Sequence, residues 1–373
     1  MANVLKLRNI ESYMDTEIAT GKKVRRMTVN QEARLSDEEY LCYLHRLRIQ
    51  DDNGFLNKIS LKTRKKVSVL LRGLMKASLK IGGIKVHSIN TDIPREENNR
   101  PIIFVLTHCG RDDISVFSKY IKCHYTILSG DYESMHNRIE GLICGLNGQV
   151  FFDMKSKTER GTIVDKVVGV LNSGDNILCS MEAAWNISPN ELVYELFPGL
   201  LLAALKSNAV ILPIGIERFS KNLYGFNASA KFFYPEKYCG VNPDNCELRC
   251  ALVELRNEMA SLKYECYFHP TISKLISIKR AALGDFDEYW KWFKDDVLDG
   301  WTFTERDIEQ KRYRNRNKPQ YVFGYLIDKY EKNSLSLEEF ASLLCEMRNP
   351  IYPNVIRDEL RMIVNKELIG GKL

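Results

Sequence analysis

At 373 residues, 45% of them hydrophobic and 27% charged, the chain has an ordinary globular composition and enough length for one large core or two medium ones. Its 54 Lys and Arg against 48 Asp and Glu leave a formal charge of +6, too mild to mark a nucleic-acid binder and compatible with an anionic substrate or a lipid surface. The most apolar long stretch, residues 198–216, is broken by Lys206, Ser207 and Asn208, which leaves no run long enough to span a bilayer. The ten cysteines stand singly, without a CxxC pair, and the chain start carries no signal-peptide pattern. They read as reduced thiols packed as small apolar residues rather than as zinc ligands. The expectation is a cytoplasmic protein without a metal or a nucleic-acid partner, soluble or at most seated on a membrane surface.

From about Ser36 to Leu79 the pattern is helical, with Leu41, Leu44 and Leu47 and then Val67, Leu70, Leu71 and Leu74 at three- and four-residue spacing. KIGGIKVHSI (80–89) introduces glycines and β-branched alternation, and the polar 95–100 reads as a turn. Strand-like and helix-like segments then alternate: strands at 102–106, 124–128, 149–152, 176–180 and 209–216, with helices at 114–122, 132–146 and 162–173 and one more before the last strand. Short apolar strands between amphipathic helices predict an α/β fold, a mixed and mostly parallel sheet with helices on both faces. Residues 246–267 read as a closing helix with Leu248, Leu252, Leu255, Met259 and Leu262 on one stripe. The division expected is a helical region 1–80, an α/β domain 81–268 and a mainly helical C-terminal extension 269–373.

FVLTHCGRDD (104–113) raises the chemical question, because a hidden strand ends on a histidine and two aspartates. On one continuous helix Asp112 would lie alongside His108. If Gly110 turns the chain and a helix starts near Asp112 or Asp113, Asp113 folds back to the imidazole instead. A carboxylate on one ring nitrogen fixes the tautomer and stabilises the imidazolium formed when the other nitrogen takes a proton. The carboxyl end of a strand in such a sheet is also where ligands bind. The competing reading is a capped surface histidine with aspartates that merely open a helix.

THCGRDD resembles the HX4D motif of the glycerolipid acyltransferases, the family of the bacterial 1-acylglycerol-3-phosphate acyltransferases, with His108 and Asp113 in the paired positions. GQVFFDM (148–154), beginning at Gly148, is similar to that family's second block, SMEAAWNIS (180–188) to its third and AVILPIGI (209–216) to its fourth; together they cover about residues 81–235. The resemblance implies phospholipid-type acyl transfer without a Ser or Cys nucleophile. His108 deprotonates an acceptor hydroxyl, Asp113 orients it, and the donor is an acyl thioester, acyl-CoA or acyl carrier protein, with no resident cofactor. Cys109 beside the histidine offers a rival acyl-enzyme, though neighbours in sequence rarely have that geometry. Glu182 falls at the third block's glutamate, among Ala183, Ala184 and Trp185, where a carboxylate needs a partner or a substrate hydroxyl.

Two positions depart from the pattern. The family's phosphate-holding arginines in the second and third blocks are replaced by Met154 and Trp185, and a thioether or indole makes no bidentate phosphate contact. Lys155, with Lys157 and Arg160, and Arg111 in the first block are the compensating cations. Trp185 with Asn186 suits stacking on a sugar ring, so the expected acceptor is a lipid or glycan hydroxyl other than simple lysophosphatidate. The basic amphipathic segment 58–80 and the aromatic-basic tail around Trp290, Trp292, Phe293 and 311–318 are candidates for peripheral contact with the inner face of the cell membrane. Two alternatives stay open: an acyl-lipid-binding protein that keeps the fold without the chemistry, and a thioester hydrolase in which His108 activates water.

Overall fold

A computed structural model describes residues 24–272 except 29–30, 32–33, 53–54, 96–98, 111, 131, 133–138, 153–156, 183–192, 195, 221, 241–242 and 267–268. Its elements in chain order are α1 (Asp37–Asp52), α2 (Leu61–Ile81), β1 (Lys85–Ser88), β2 (Ile102–Leu106), α3 (Asp113–Tyr120), β3 (Thr126–Ser129), α4 (Ile139–Asn147), β4 (Gln149–Phe151), α5 (Lys157–Asn172), β5 (Ile177–Cys179), α6 (Gly199–Ser207), β6 (Val210–Ser220), β7 (Leu223–Ala228) and α7 (Asn245–Glu265). The chain forms two compact units, Met1–Ser68 with His124–Lys166 and Val69–Cys123 with Val167–Leu373. The expected C-terminal helical extension lies outside the described residues.

In the second unit the strands run in the order β1, β7, β6, β2, β5. β1 with β7, β2 with β6 and β2 with β5 are parallel; β6 and β7 form an antiparallel hairpin. The pattern is thus mixed and mostly parallel. Strand alternation divides its side chains into two sets. Phe104, Leu212, Ile214, Ile216 and Phe226 point one way, and α3 covers them, its Phe117 ring 5.2 Å from Phe104 and its Tyr120 ring 4.5 Å from Phe226. Val105, Gly215, Glu217, Gly225 and Asn227 point the other way, toward α7. Helices therefore lie on both faces, as α/β patterning requires. Ile103, Phe104, Val105, Ile211 and Leu212 have no solvent exposure, and each such side chain contributes roughly 1.5–3 kcal/mol through burial.

The α7 side is built by glycine. A Cβ on Gly215 would run into the backbone of Leu262 and Lys263, and one on Gly225 would meet Cys266 Cβ at 2.6 Å. The helix backbone lies directly on the hairpin because both side chains are missing. α7 starts at a capping box, Asp244 accepting from the Cys246 and Glu247 N–H groups while Glu247 accepts from Asp244. From Leu255 to Tyr264 every residue except Glu258 is buried, so the single stripe expected of this helix widens to nearly its whole circumference.

In the first unit β3 and β4 pair in parallel, and Tyr43, Leu44 and Leu47 of α1 pack with Tyr132. Arg48 of α1 forms a bidentate ion pair with Glu159 of α5. Gly148, one of the expected substrate-binding positions, has φ +117, and a Cβ there would overlap the Arg64 guanidinium and meet Thr126 Oγ1 at 2.9 Å. Backbone conformation and close packing both demand glycine at this position. Among the described residues no helix is long and apolar enough to cross a membrane.

Candidate active site

β2 runs buried from Ile103 to Leu106 and delivers residues 107–110 to its carboxyl end. Thr107 extends the strand's hold on β6 beyond the last regular pair. Its N–H donates to Ile214 O at 3.0 Å, and its hydroxyl both accepts from Ile216 N–H and donates to Ile216 O, each at 2.7 Å. The next residue, His108, is therefore fixed on the rim.

α3 begins at Asp113, which reaches back. Its Oδ2 lies 2.8 Å from His108 Nδ1 and accepts from the Cys109 N–H at 2.9 Å and the Gly110 N–H at 3.0 Å. Asp112, at the N-cap position, makes no side-chain capping bond; it accepts from the Tyr224 hydroxyl at 3.3 Å. The structure thus brings His108 together with Asp113, not Asp112. Gly110 earns its place by close approach, since a Cβ would sit 2.9 Å from Tyr224 Oη. The His108 side chain is 31% exposed and that of Asp113 2%. A neutral ring with its proton on Nδ1 toward Asp113 carries its lone pair on Nε2, and a partner can reach that ring from solvent.

Cys109 is buried, and its thiol donates to Asp113 Oδ1 at 3.3 Å. Burial first, and the charge of Asp113 next, push the thiol well above its ordinary range. A thiol held protonated in this way is a poor nucleophile, which weighs against the Cys/His acyl-enzyme.

Glu182 follows β5 and is 3% exposed. Its Oε1 accepts from the His108 N–H at 2.9 Å and its Oε2 from the Tyr194 N–H at 2.7 Å, so one carboxylate ties the end of β2 to the chain before α6. Three charged residues absent from the sequence reading complete the region. Glu217 of β6 receives an ion pair from Lys263 of α7 at 3.1 Å and a hydrogen bond from the Arg218 N–H at 3.1 Å. Burial pushes both Glu182 and Glu217 above the usual carboxylate range, and Lys263 is the largest influence opposing that push. Burial works against the Lys263 ammonium as well, but Glu217 and then Glu182 outweigh it and hold the lysine above its ordinary value. Arg256, two turns before Lys263 on the same helical stripe, donates from Nε and Nη2 to Val193 O at 3.2 and 2.8 Å.

The signal for these residues was present in weak form: Glu217 interrupts an apolar strand, and Arg256 and Lys263 stand seven apart beside an apolar stripe. Of the other expected substrate-binding residues, Arg111, Met154, Lys155, Ala183, Ala184, Trp185 and Asn186 lie outside the described residues, and Gly148 belongs to the first unit.

No family model matches the chain, and no curated protein does. Among matching solved structures is the 1-acyl-sn-glycerophosphate (LPA) acyltransferase PlsC from Thermotoga maritima. Its TM-score is 0.41 and its identity 15%, over 58% of this chain and 92% of that one.

Proposed function

We propose that this protein transfers an acyl group from a thioester to an acceptor hydroxyl, with His108 as general base and Asp113 as the group that orients it. The observation that carries this reading is the 2.8 Å contact between His108 Nδ1 and a buried Asp113, with the ring one-third exposed at the carboxyl end of β2. The four sequence blocks described above support it. Nε2 takes the acceptor's hydroxyl proton, the oxygen attacks the thioester carbonyl, the C–S bond breaks, and the imidazolium returns the proton to the departing thiolate. With Met154 and Trp185 in place of phosphate-binding arginines, the acceptor class proposed is a lipid-linked or glycan hydroxyl.

The test is incubation of the full chain with radiolabelled acyl-CoA or acyl carrier protein and with lysophosphatidate or sugar acceptors. The expected result is an ester product that falls at least about 100-fold in His108→Ala, the lower range for loss of a general base. No product with either donor removes the enzyme reading; free fatty acid as the sole product points to hydrolysis; equal acylation of lysophosphatidate and sugars removes the proposed acceptor preference.

A lipid acceptor requires access to a bilayer, and the outward side of α2 supports such contact. Leu71, Met75 and Leu79 turn inward, whereas Leu70 (67% exposed), Val69, Leu74 and Ile81 (87%) face solvent, with exposed Lys62, Lys65, Lys66, Lys76 and Lys80 along the same helix. Binding to anionic vesicles should be measurable by flotation and should weaken with salt, and Leu70→Asp with Leu74→Asp should abolish it.

A further inference from the structure

We infer that Lys263 is a positioning residue for the His108 base: its buried ammonium is the shared counter-charge of Glu217 and Glu182, and through Glu182 it fixes the main chain at His108. The functional part of this inference rests on the acyl-transfer reading above; the structural part does not.

The geometry runs through four elements. Gly215 lets the backbone of α7 sit on β6, and Glu217, one pleat further along the same side of the strand, meets Lys263 Nζ at 3.1 Å. Glu182, arriving from β5, spends its two oxygens on the N–H groups of His108 and Tyr194. Thr107, the residue before His108, bonds Ile216, the residue before Glu217, so both carboxylates come to the end of β2. The electrostatics of the cluster add Lys263 as the main charge favouring ionised Glu182. Arg256 holds the carbonyl of Val193, the residue before Tyr194, so both cations of the α7 stripe act on the segment that Glu182 grips. The groups facing this cluster are His108, Cys109 and Asp113 from the β2–α3 turn, Glu217 and Arg218 from β6, and Cys266 after α7.

A carboxylate is a strong acceptor for two N–H groups because it is ionised; once protonated, one of its oxygens becomes a donor and can no longer serve both. Burial of Glu182 favours the protonated form and the Lys263 charge resists it. Loss of that charge therefore predicts a looser His108 main chain; Lys263 acts through Glu182 and is a positioning residue, not a catalytic one.

Lys263→Met alone strands two buried carboxylates and invites unfolding. The decisive variant is Lys263→Met with Glu217→Gln, which removes the ion pair as a unit and keeps an acceptor for the Arg218 N–H. Two measurements are made on the full chain. The first follows Glu182 by 13C-carboxyl NMR against pH, its resonance assigned by its loss in Glu182→Gln, and needs no substrate. The second takes the pH profile of acyl transfer.

The expected result is that Glu182 ionises at higher pH in the double variant. In parallel, kcat should fall on the order of tenfold with the donor KM unchanged, as typical when a supporting residue is lost, and the acid limb should move to higher pH. Glu182 titrating as in the wild type overturns the inference and leaves Lys263 as a partner of Glu217 alone. A shifted Glu182 with an unchanged acid limb and kcat overturns the positioning role. A wild type that shows no transfer removes the acyl-transfer reading, and a shifted Glu182 in that protein still supports the counter-charge.

Discussion

Two ways of keeping an acid inside this protein stand side by side in the second unit. Asp113 is served at the sheet rim by two backbone N–H groups and an imidazole, all within three to five residues of it in sequence. Glu182 and Glu217 are buried as well, but Glu217 takes its counter-charge from the ammonium of a distant helix, which also favours ionised Glu182. The first arrangement is local and leaves the histidine accessible; the second is long-range and closed to solvent. A proton-transfer group must be reached by substrate, whereas a group that only holds the chain gains from exclusion of water, which strengthens its contacts.

The comparison breaks most sharply at Lys263. Lys263→Met should cost about 3–5 kcal/mol of stability in denaturant unfolding because it leaves buried charge uncompensated. His108→Ala, which removes a partly exposed ring and leaves Asp113 its two N–H donors, should cost less than about 1 kcal/mol. Equal losses would mean that the two arrangements do not differ in kind. Next in size is Gly215→Ala: a methyl group there collides with backbone rather than with a yielding side chain, so a loss of about 1–3 kcal/mol is expected. Because the displaced α7 carries Lys263, the loss should come with reduced transfer activity.

The smallest effect is that of alkaline pH. Cys109, held up by burial and then by Asp113, and Tyr224 and Cys266, both raised chiefly by burial, bind their protons more tightly folded than unfolded, as Lys263 does through its carboxylates. A folded pKa above the unfolded one means the native state holds more protons, so stability is complete below the unfolded value and falls as pH rises through the folded one. Urea midpoints should accordingly decline above about pH 8.5, where unfolded thiols begin to ionise. The pair variant Lys263→Met with Glu217→Gln should lose the part of that decline that sets in above about pH 10.4.

Much of this architecture was legible from period alone. β2, β5 and β6 are strongly apolar and buried, α3 buries one face, and their spacing dictated alternation of strand and helix. Asp113 was legible over Asp112 once a turn was placed at Gly110, because the fresh helix start changes which carboxylate faces back. β7 was not. Its positions facing α7 are Gly225, packed under Cys266, and Asn227, whose amide donates to Leu262 O and Glu265. Those residues exist to admit a helix backbone, and in a sequence they imitate a turn. Lys263 and Arg256 were hidden for a related reason: charge beside an apolar stripe reads as the solvated edge of a helix, and only the near-complete burial of the second half of α7 makes it interior. The acceptor side was read from the third block, and its Trp185 and Asn186 are outside the described residues.

The close seating of α7 on the β6–β7 hairpin also bears on biosynthesis. The ribosome makes Glu182 and then Glu217 before α7, yet the ammonium inferred to serve both of these buried acids emerges only after the hairpin has been completed. Until then the partial chain carries acids it has no means of burying, so the second unit has reason to wait in an open state and close in a single late event. A nascent chain stalled before α7 should accordingly be protease-sensitive across β2, while one stalled beyond it should be protected.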